Sequence, residues 1–152
     1  SELKSVFSNY VKPKINPILS SYCKTLLNID QKLINNAPTL NDTIECLFEW
    51  SNCFSSKIIF SSWGYEDCCL FDEDCNRGSI SNPLKNMSYL DLMRVSYDTI
   101  GFDDEMYWDR EKVKKYLNIH KEDHVHDALQ DAIELKDILQ ELENKYYEQA
   151  LI

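Results

Sequence analysis

The stretch Lys57–Trp63, KIIFSSW, restricts the fold more than any other part of the chain. Its β-branched and aromatic residues read as a short buried strand, closed by Gly64. Glu66–Cys75 then reads as a helix with Cys69, Leu70 and Phe71 turned inward. A second change of period falls between Met87 and Ile100, where Tyr89-Leu90-Asp91-Leu92-Met93 reads as a strand running into a helix. Strands that feed directly into helices point to an α/β or mixed layered fold. Val6–Val11 alternates well enough for a third strand, and Pro13 and Pro17 forbid its continuation as a central strand or helix. A sheet built from about three such strands is short of partners.

The rest of the chain reads as helix. Ile18–Leu27 is predicted as a short helix starting near Ser20 or Ser21, and Ile29–Leu33 as another turn. Thr39–Cys53 is firmer, with Leu40, Ile44, Leu47, Phe48 and Trp50 on one face and Thr39 or Asn41 as its cap. Gly78–Lys85 is a loop, and Trp108–Leu117 a helix with Trp108, Val113, Tyr116 and Leu117 apolar. The last helix runs from Ala128 to about Tyr147, with Leu129, Ala132, Ile133, Leu135, Ile138, Leu139, Leu142 and Tyr146 as its core face. With no internal repeat and no low-complexity linker, residues 1–152 are expected to form a single domain.

Sixteen Lys and Arg against 26 Asp and Glu leave a net charge of −10, which argues against a nonspecific nucleic-acid coat. It does not exclude an enzyme whose carboxylates hold metal ions, because the ions reverse the local charge. No apolar run approaches membrane-spanning length and no signal-peptide pattern opens the chain. The six cysteines, Cys23, Cys46, Cys53, Cys68, Cys69 and Cys75, contain no C-x-x-C pair. They read as reduced, mostly buried thiols of a cytoplasmic protein, with a nuclear location also open. A zinc site of Cys75 with His120, His124 and His126 is the alternative, though no ligand spacing is recognisable.

The chemistry concentrates at the start of the last helix. Asp127-Ala128-Leu129-Gln130 reads as a capping box, which puts His126 at N′ and Asp131 at N4. Those two positions normally meet across the first turn as an apolar staple, so a His–Asp pair there is unusual. Asp67 follows a strand, the Gly64 turn and Tyr65, and strand ends are where α/β proteins place ligand groups. If Asp67 approaches Asp131, two carboxylates suit hard divalent cations and His126 suits proton transfer from a water. Taken singly, Asp67 also reads as a helix cap or solvated acid, and the His126–Asp131 pair as an ordinary cap. His120, His124, Glu45, Glu49, Asp72–Asp74 and Asp103–Glu105 read as solvated surface.

Three ordered segments resemble the DEDDh class of DnaQ-like 3′–5′ exonucleases over nearly all of residues 6–145. His126 and Asp131 stand at the two ends of its third motif, H-x-x-x-x-D. In IIFSSWGYEDCCLF, Asp67 is the Asp of the second motif. The segment from Phe7 to Trp50 resembles the stretch between the first and second motifs, through Y-V-x-P, I-x-P-x-L-S-x-x-C and A-P-T. The nearest branch looks like the exonucleases that trim histone messages, small RNAs and ribosomal RNA ends. The resemblance implies an RNase H-like fold, a mixed sheet flanked by helices. It implies two Mg²⁺ or Mn²⁺ ions, with Asp67 and Asp131 as metal ligands and His126 as general base. By the same resemblance Tyr65 and Glu66 take substrate-binding positions. Glu66 stands where the branch can carry a base-stacking aromatic, and Trp63 is expected in the core. The family's first motif, D-x-E on the first strand, should come before Phe7, where Glu2 is the only acid. The expectation is that this chain lacks the family's N-terminal strands and that a fuller chain carries D-x-E before Ser1.

Two functions follow from the resemblance. The first is an enzyme, a metal-dependent 3′–5′ exonuclease acting on the 3′ end of single-stranded RNA or DNA, RNA foremost. The second is a catalytically inactive exonuclease-fold module that binds protein or RNA. It is motivated by the missing first motif and the charge of −10.

Overall fold

A computed structural model describes residues 3–54, 57–101, 109–120 and 127–150. Its elements in chain order are α1 (Ser21–Leu27), α2 (Gln31–Asn36), α3 (Leu40–Ser51), β1 (Ile59–Ser62), α4 (Glu66–Gly78), β2 (Ser88–Asp91), α5 (Leu92–Ile100), α6 (Arg110–Tyr116) and α7 (Ala128–Ala150). A 3₁₀ turn at Pro83–Asn86 precedes β2.

The helix starts follow local side-chain chemistry. Backbone N–H groups in the first turn have no partner within the helix, so a side-chain oxygen just ahead of it satisfies one. Ser20 accepts from the Cys23 amide, Asp30 from Lys32, Asp91 from Arg94 and Asp109 from Lys112. Thr39 and Asp42 cap α3 reciprocally, in a full capping box. Asp127 Oδ1 accepts from the Gln130 amide at 2.9 Å, so the cap read from the sequence opens α7.

β1 and β2 run parallel, with Ile59 opposite Ser88, Phe60 opposite Tyr89, Ser61 opposite Leu90 and Ser62 opposite Asp91. Parallel neighbours need a crossover, and α4 supplies it. α5 packs against both strands and against α7. A cluster of buried core residues joins Val113 and Leu117 of the α6 segment to Ile138 and Leu142 of α7, with Trp63, Val95, Ile100, Ile119 and Leu135 packed around it. This two-strand sheet and its flanking helices are the α/β fold that the strand–helix alternation predicted.

Several local expectations need correction. Val6–Val11 forms no strand. Its segment is held instead by single contacts: the Lys12 amide donates to Pro38 O at 2.8 Å, the Trp50 indole donates to Ser5 Oγ at 3.0 Å, and the Phe7 ring packs at a tilt against Trp50. A strand needs a ladder, and no neighbouring strand is described there. β1 is only half-buried, with Ile59 exposed, because the described sheet has one strand beside it. On α4 it is Cys75 that is buried, while Cys69 and Leu70 face solvent. Ala132 and Tyr146 of α7 are exposed, and Glu134 takes an interior place instead. Trp108 lies outside the described residues.

Candidate active site

β1 ends at Ser62, and the chain turns through Gly64 into α4. Gly64 has φ +77°, a conformation that L side chains rarely adopt. Its carbonyl is the focus of the turn. Tyr89 Oη lies 2.5 Å from Gly64 O, Ser62 Oγ lies 2.8 Å from it, and the two hydroxyls are 2.8 Å apart. Two hydroxyl protons serve three contacts, so at most two are hydrogen bonds at any moment. Burial, more than any neighbouring charge, pushes the Tyr89 phenol above its ordinary pKa, so it remains a donor. This cluster ties the end of β1 to β2 and fixes where α4 begins.

Glu66 and Asp67 therefore occupy the first turn of α4, where the helix dipole favours negative charge. Both are exposed. Tyr65 stands at the N-cap without capping, 63% exposed, with its ring edge-on to Tyr89 at 5.7 Å. It also borders a cavity of about 270 Å³ lined by Phe60, Cys68, Asp72, Lys85 and Tyr89. Trp63 packs against the core cluster, as expected.

Asp131 sits in the first turn of α7, its amide donating to Asp127 O at 2.9 Å. Its carboxylate is engaged by Arg110, whose Nη2 lies 2.6 Å from Asp131 Oδ1. Arg110 Nε lies 3.7 Å from Glu134 Oε2, and Lys114 Nζ lies 3.0 Å from Glu134 Oε1 and 2.9 Å from Glu111 Oε1. Burial pushes the Lys114 ammonium toward deprotonation. Its hydrogen bonds to Glu111 and Glu134, with their charges, outweigh that and hold its pKa above the ordinary lysine value. Sequence reasoning missed this network. The signal was present: Arg110 and Lys114 are four apart on one helix, and Asp131 and Glu134 three apart on the next.

His126 and His124 lie outside the described residues, so the His126–Asp131 contact does too. Asp67 and Asp131 carry the oxygen donors that hard cations take. Yet among the described residues no three His, Cys, Asp or Glu side chains gather to hold an ion, and Asp131 already holds a guanidinium. The described residues alone do not make the metal site that the resemblance implied. Of the zinc alternative's residues, Cys75 is buried, its thiol pKa raised first by that burial and then by Asp72 and Asp74, and His120 is exposed, while His124 and His126 lie outside the described residues. The six cysteines are free, but only Cys75 is buried; Cys46, Cys53 and Cys69 are exposed. No helix among the described residues is long and apolar enough to cross a membrane.

A family model described as "Exonuclease" matches residues 1–139. The chain belongs to the exonuclease family. Among curated proteins, the 3′–5′ exonuclease eri1 of Schizosaccharomyces pombe is 48% identical over 42 residues, covering 28% of this chain and 14% of its own length. The probable 3′–5′ exonuclease KapD of Bacillus subtilis is 34% identical over 84 residues, covering 55% of this chain and 40% of its own. The chain thus spans less than half the length of either relative. Among solved structures, the nuclease domain of 3′hExo, a DEDDh family member bound to rAMP, superposes with a TM-score of 0.82 at 18% identity, over 94% of this chain and 74% of that one. Cell-death related nuclease 4 superposes with a TM-score of 0.76 at 23% identity, over 91% and 49%. At these identities the likeness establishes the fold: that of an RNase H-like exonuclease domain. The family and fold agree with the resemblance read from the ordered motifs.

Proposed function

We propose that this domain hydrolyses phosphodiester bonds at the 3′ end of single-stranded nucleic acid, RNA foremost, with a divalent cation, Mg²⁺ or Mn²⁺, as cofactor. The observation that carries this reading is the placement of the two motif acids. Asp67 opens α4 directly behind the Gly64 turn, and Asp131 lies in the first turn of α7, each within a family match that spans residues 1–139. Asp67 and Asp131 supply two carboxylates at the reacting phosphate, and His126, five residues before Asp131, supplies the base. In that role the imidazole takes a proton from water as its oxygen attacks phosphorus, and the P–O bond to the remaining chain breaks. The names of related proteins, an exoribonuclease among them, and a neighbour solved for recognition of a histone mRNA stem-loop, support RNA as the substrate. A cytoplasmic or nuclear location is part of the same proposal.

A second reading is a module that binds without cutting. The guanidinium of Arg110 on Asp131 favours it. One experiment separates the two. The chain is incubated with 5′-labelled single-stranded RNA and DNA, with Mn²⁺, Mg²⁺ or EDTA. Cation-dependent shortening from the 3′ end, lost in His126→Ala and Asp131→Asn, is the expected result. RNA retained at full length under every condition would replace the enzyme with the binding module.

A further inference from the structure

The net charge of −10 is unevenly distributed along the chain. Residues 1–38 carry Lys4, Lys12, Lys14, Lys24 and Lys32 against Glu2 and Asp30, a net +3, while residues 39–152 carry 11 basic against 24 acidic residues, a net −13. The five lysines are exposed, and among the described residues none of them is in an ion pair. Lys32 lines a groove of about 680 Å³ together with Asn9, Tyr10, Asp30, Leu33 and Asn36. The groove is pinned on both sides. The Lys12 amide donates to the carbonyl of Pro38, which also lines it, at 2.8 Å, and so sets Lys12 beside it. Gln31 braces α2 from below: its Nε2 donates to Pro17 O at 2.9 Å and its Oε1 accepts from the Leu19 amide at 2.7 Å. Tyr10 is 47% exposed, and among the described residues its ring meets no other ring. Asp30 opposes the charge, with its Oδ1 capping α2 through the Lys32 amide at 2.7 Å.

Free ammonium groups, an open aromatic face and two carboxamides make a set that suits one strand of nucleic acid. Ammonium groups take phosphates, a ring takes the face of any base, and carboxamides take base edges. An acidic protein segment would match the charge equally well, but it has no use for the open ring. We infer that this groove binds a single-stranded nucleic acid, with Tyr10 as the stacking face and Lys12 and Lys32 on neighbouring phosphates. The inference rests on the reading of a single strand as the ligand, whether or not the domain cuts it. The groove shares no residue with the helix starts that carry Asp67 and Asp131, so it adds affinity and takes no part in the chemistry. A chain of net charge −10 can then hold a polyanion, because charges act on a phosphate within a Debye length, about 10 Å at 0.1 M salt, and not through their sum.

The test is equilibrium binding of a 5′-fluorescein-labelled RNA without self-pairing sequence to the full chain in EDTA, read by fluorescence anisotropy over a salt series. Lys12→Gln with Lys32→Gln should weaken binding roughly tenfold or more near 0.1 M salt. It should also lower the slope of log affinity against log salt by about 1.4, at about 0.7 per phosphate on a single strand. Lys57→Gln with Lys115→Gln removes the same charge from exposed positions elsewhere and should change affinity by less than about twofold. Tyr10→Leu keeps an apolar side chain without the ring and should weaken binding about fivefold or more, whereas Tyr10→Phe should stay within about twofold of the parent. Near-ultraviolet circular dichroism checks that each variant is folded. Unchanged affinity in the Lys12 and Lys32 pair overturns the inference, as does an equal loss in the control pair. Binding that follows the lysines and ignores Tyr10, with poly-glutamate competing as well as unlabelled RNA, overturns it in favour of an acidic protein ligand. If the parent shortens RNA with Mn²⁺ while the groove variants bind RNA as the parent does, the groove falls and the exonuclease stands. If the groove variants lose RNA and no cation supports shortening by the parent, the groove stands and the exonuclease falls.

Discussion

Lys114 Nζ and Glu134 Oε1 meet 3.0 Å apart, with both side chains nearly closed to water, and so join α6 to α7 through a buried ion pair. Removing one partner of such a pair strands the other charge. Lys114 keeps Glu111 at 2.9 Å, which softens the loss. Glu134→Ala is expected to destabilise the fold by roughly 2–4 kcal/mol, measured by urea denaturation. A double replacement, Lys114→Met with Glu134→Leu, should cost far less, because no charge is stranded. The pair also has a pH signature. The folded pKa of Lys114 is raised, so its contribution is complete below the unfolded lysine value, about 10.4. It is lost as pH rises through the higher folded value. Stability measured from pH 7 to 11 should fall only at the alkaline end, and Glu134→Ala should flatten that fall.

Tyr89→Phe removes the hydroxyl that reaches Gly64 O and Ser62 Oγ from β2. Ser62 still donates to Gly64 O, so the carbonyl is not orphaned. The expected cost is about 1 kcal/mol, the net worth of one hydrogen bond. Gly64→Ala meets only the Met93 side chain, Cε at 3.6 Å and Sδ at 4.0 Å, both ordinary contacts, so its cost is conformational: about 1–2 kcal/mol for a non-glycine residue at φ +77°. Combining the two should give less than the sum if both loosen the same turn, and thermal unfolding of the double variant reads that out.

What could be read in the sequence was what depends on neighbours along the chain. The caps at Ser20, Thr39 and Asp127, the β1–Gly64–α4 turn and the β2-to-α5 transition are set by a few adjacent residues, and all appear where the pattern put them. Asp67 and Asp131 were legible for the same reason, as residues at helix starts. The failures concern contacts between distant segments. Val6–Val11 alternates like a strand, but a ladder requires a partner that the pattern does not specify. Glu134 is not among the residues read as the core face of α7, and it gains its interior place only because α6 brings Lys114 against it. The inward side of α4 was misjudged because Leu70 and Cys69 looked more apolar than the face carrying Cys75.

The cysteines should divide sharply in reactivity. Thiolates are the nucleophiles, and burial holds Cys75 protonated as well as hidden. Native protein treated with iodoacetamide should be alkylated first at the exposed Cys46, Cys53 and Cys69. Cys75 should react only after denaturation. Peptide mass spectrometry of a time course settles the order, and early labelling of Cys75 would mean that α4 opens readily.

The two motif acids should separate activity from stability. Asp67→Asn keeps the shape of an exposed side chain and loses only its interaction with the α4 dipole, about 0.5 kcal/mol. Asp131→Asn loses a partly exposed ion pair, about 1 kcal/mol, and leaves Arg110 beside Glu134. Neither should unfold the domain, yet each should lower 3′ shortening of RNA by about a hundredfold or more, as loss of a charge at a reacting phosphate does. Asp72 is the control. It lies on the same helix, held by Asn82 at 2.9 Å and Lys85 at 2.8 Å, and those contacts, Asn82 first, keep its pKa below the ordinary value. A depressed carboxylate contributes stability above its unfolded pKa, about 3.9, and loses it as pH falls through the folded value. Asp72→Asn should therefore alter acid unfolding while leaving shortening at pH 7 nearly unchanged. Loss of activity in Asp72→Asn equal to that in Asp67→Asn would mean that any acid on α4 serves, and Asp67 would have no special place at the site.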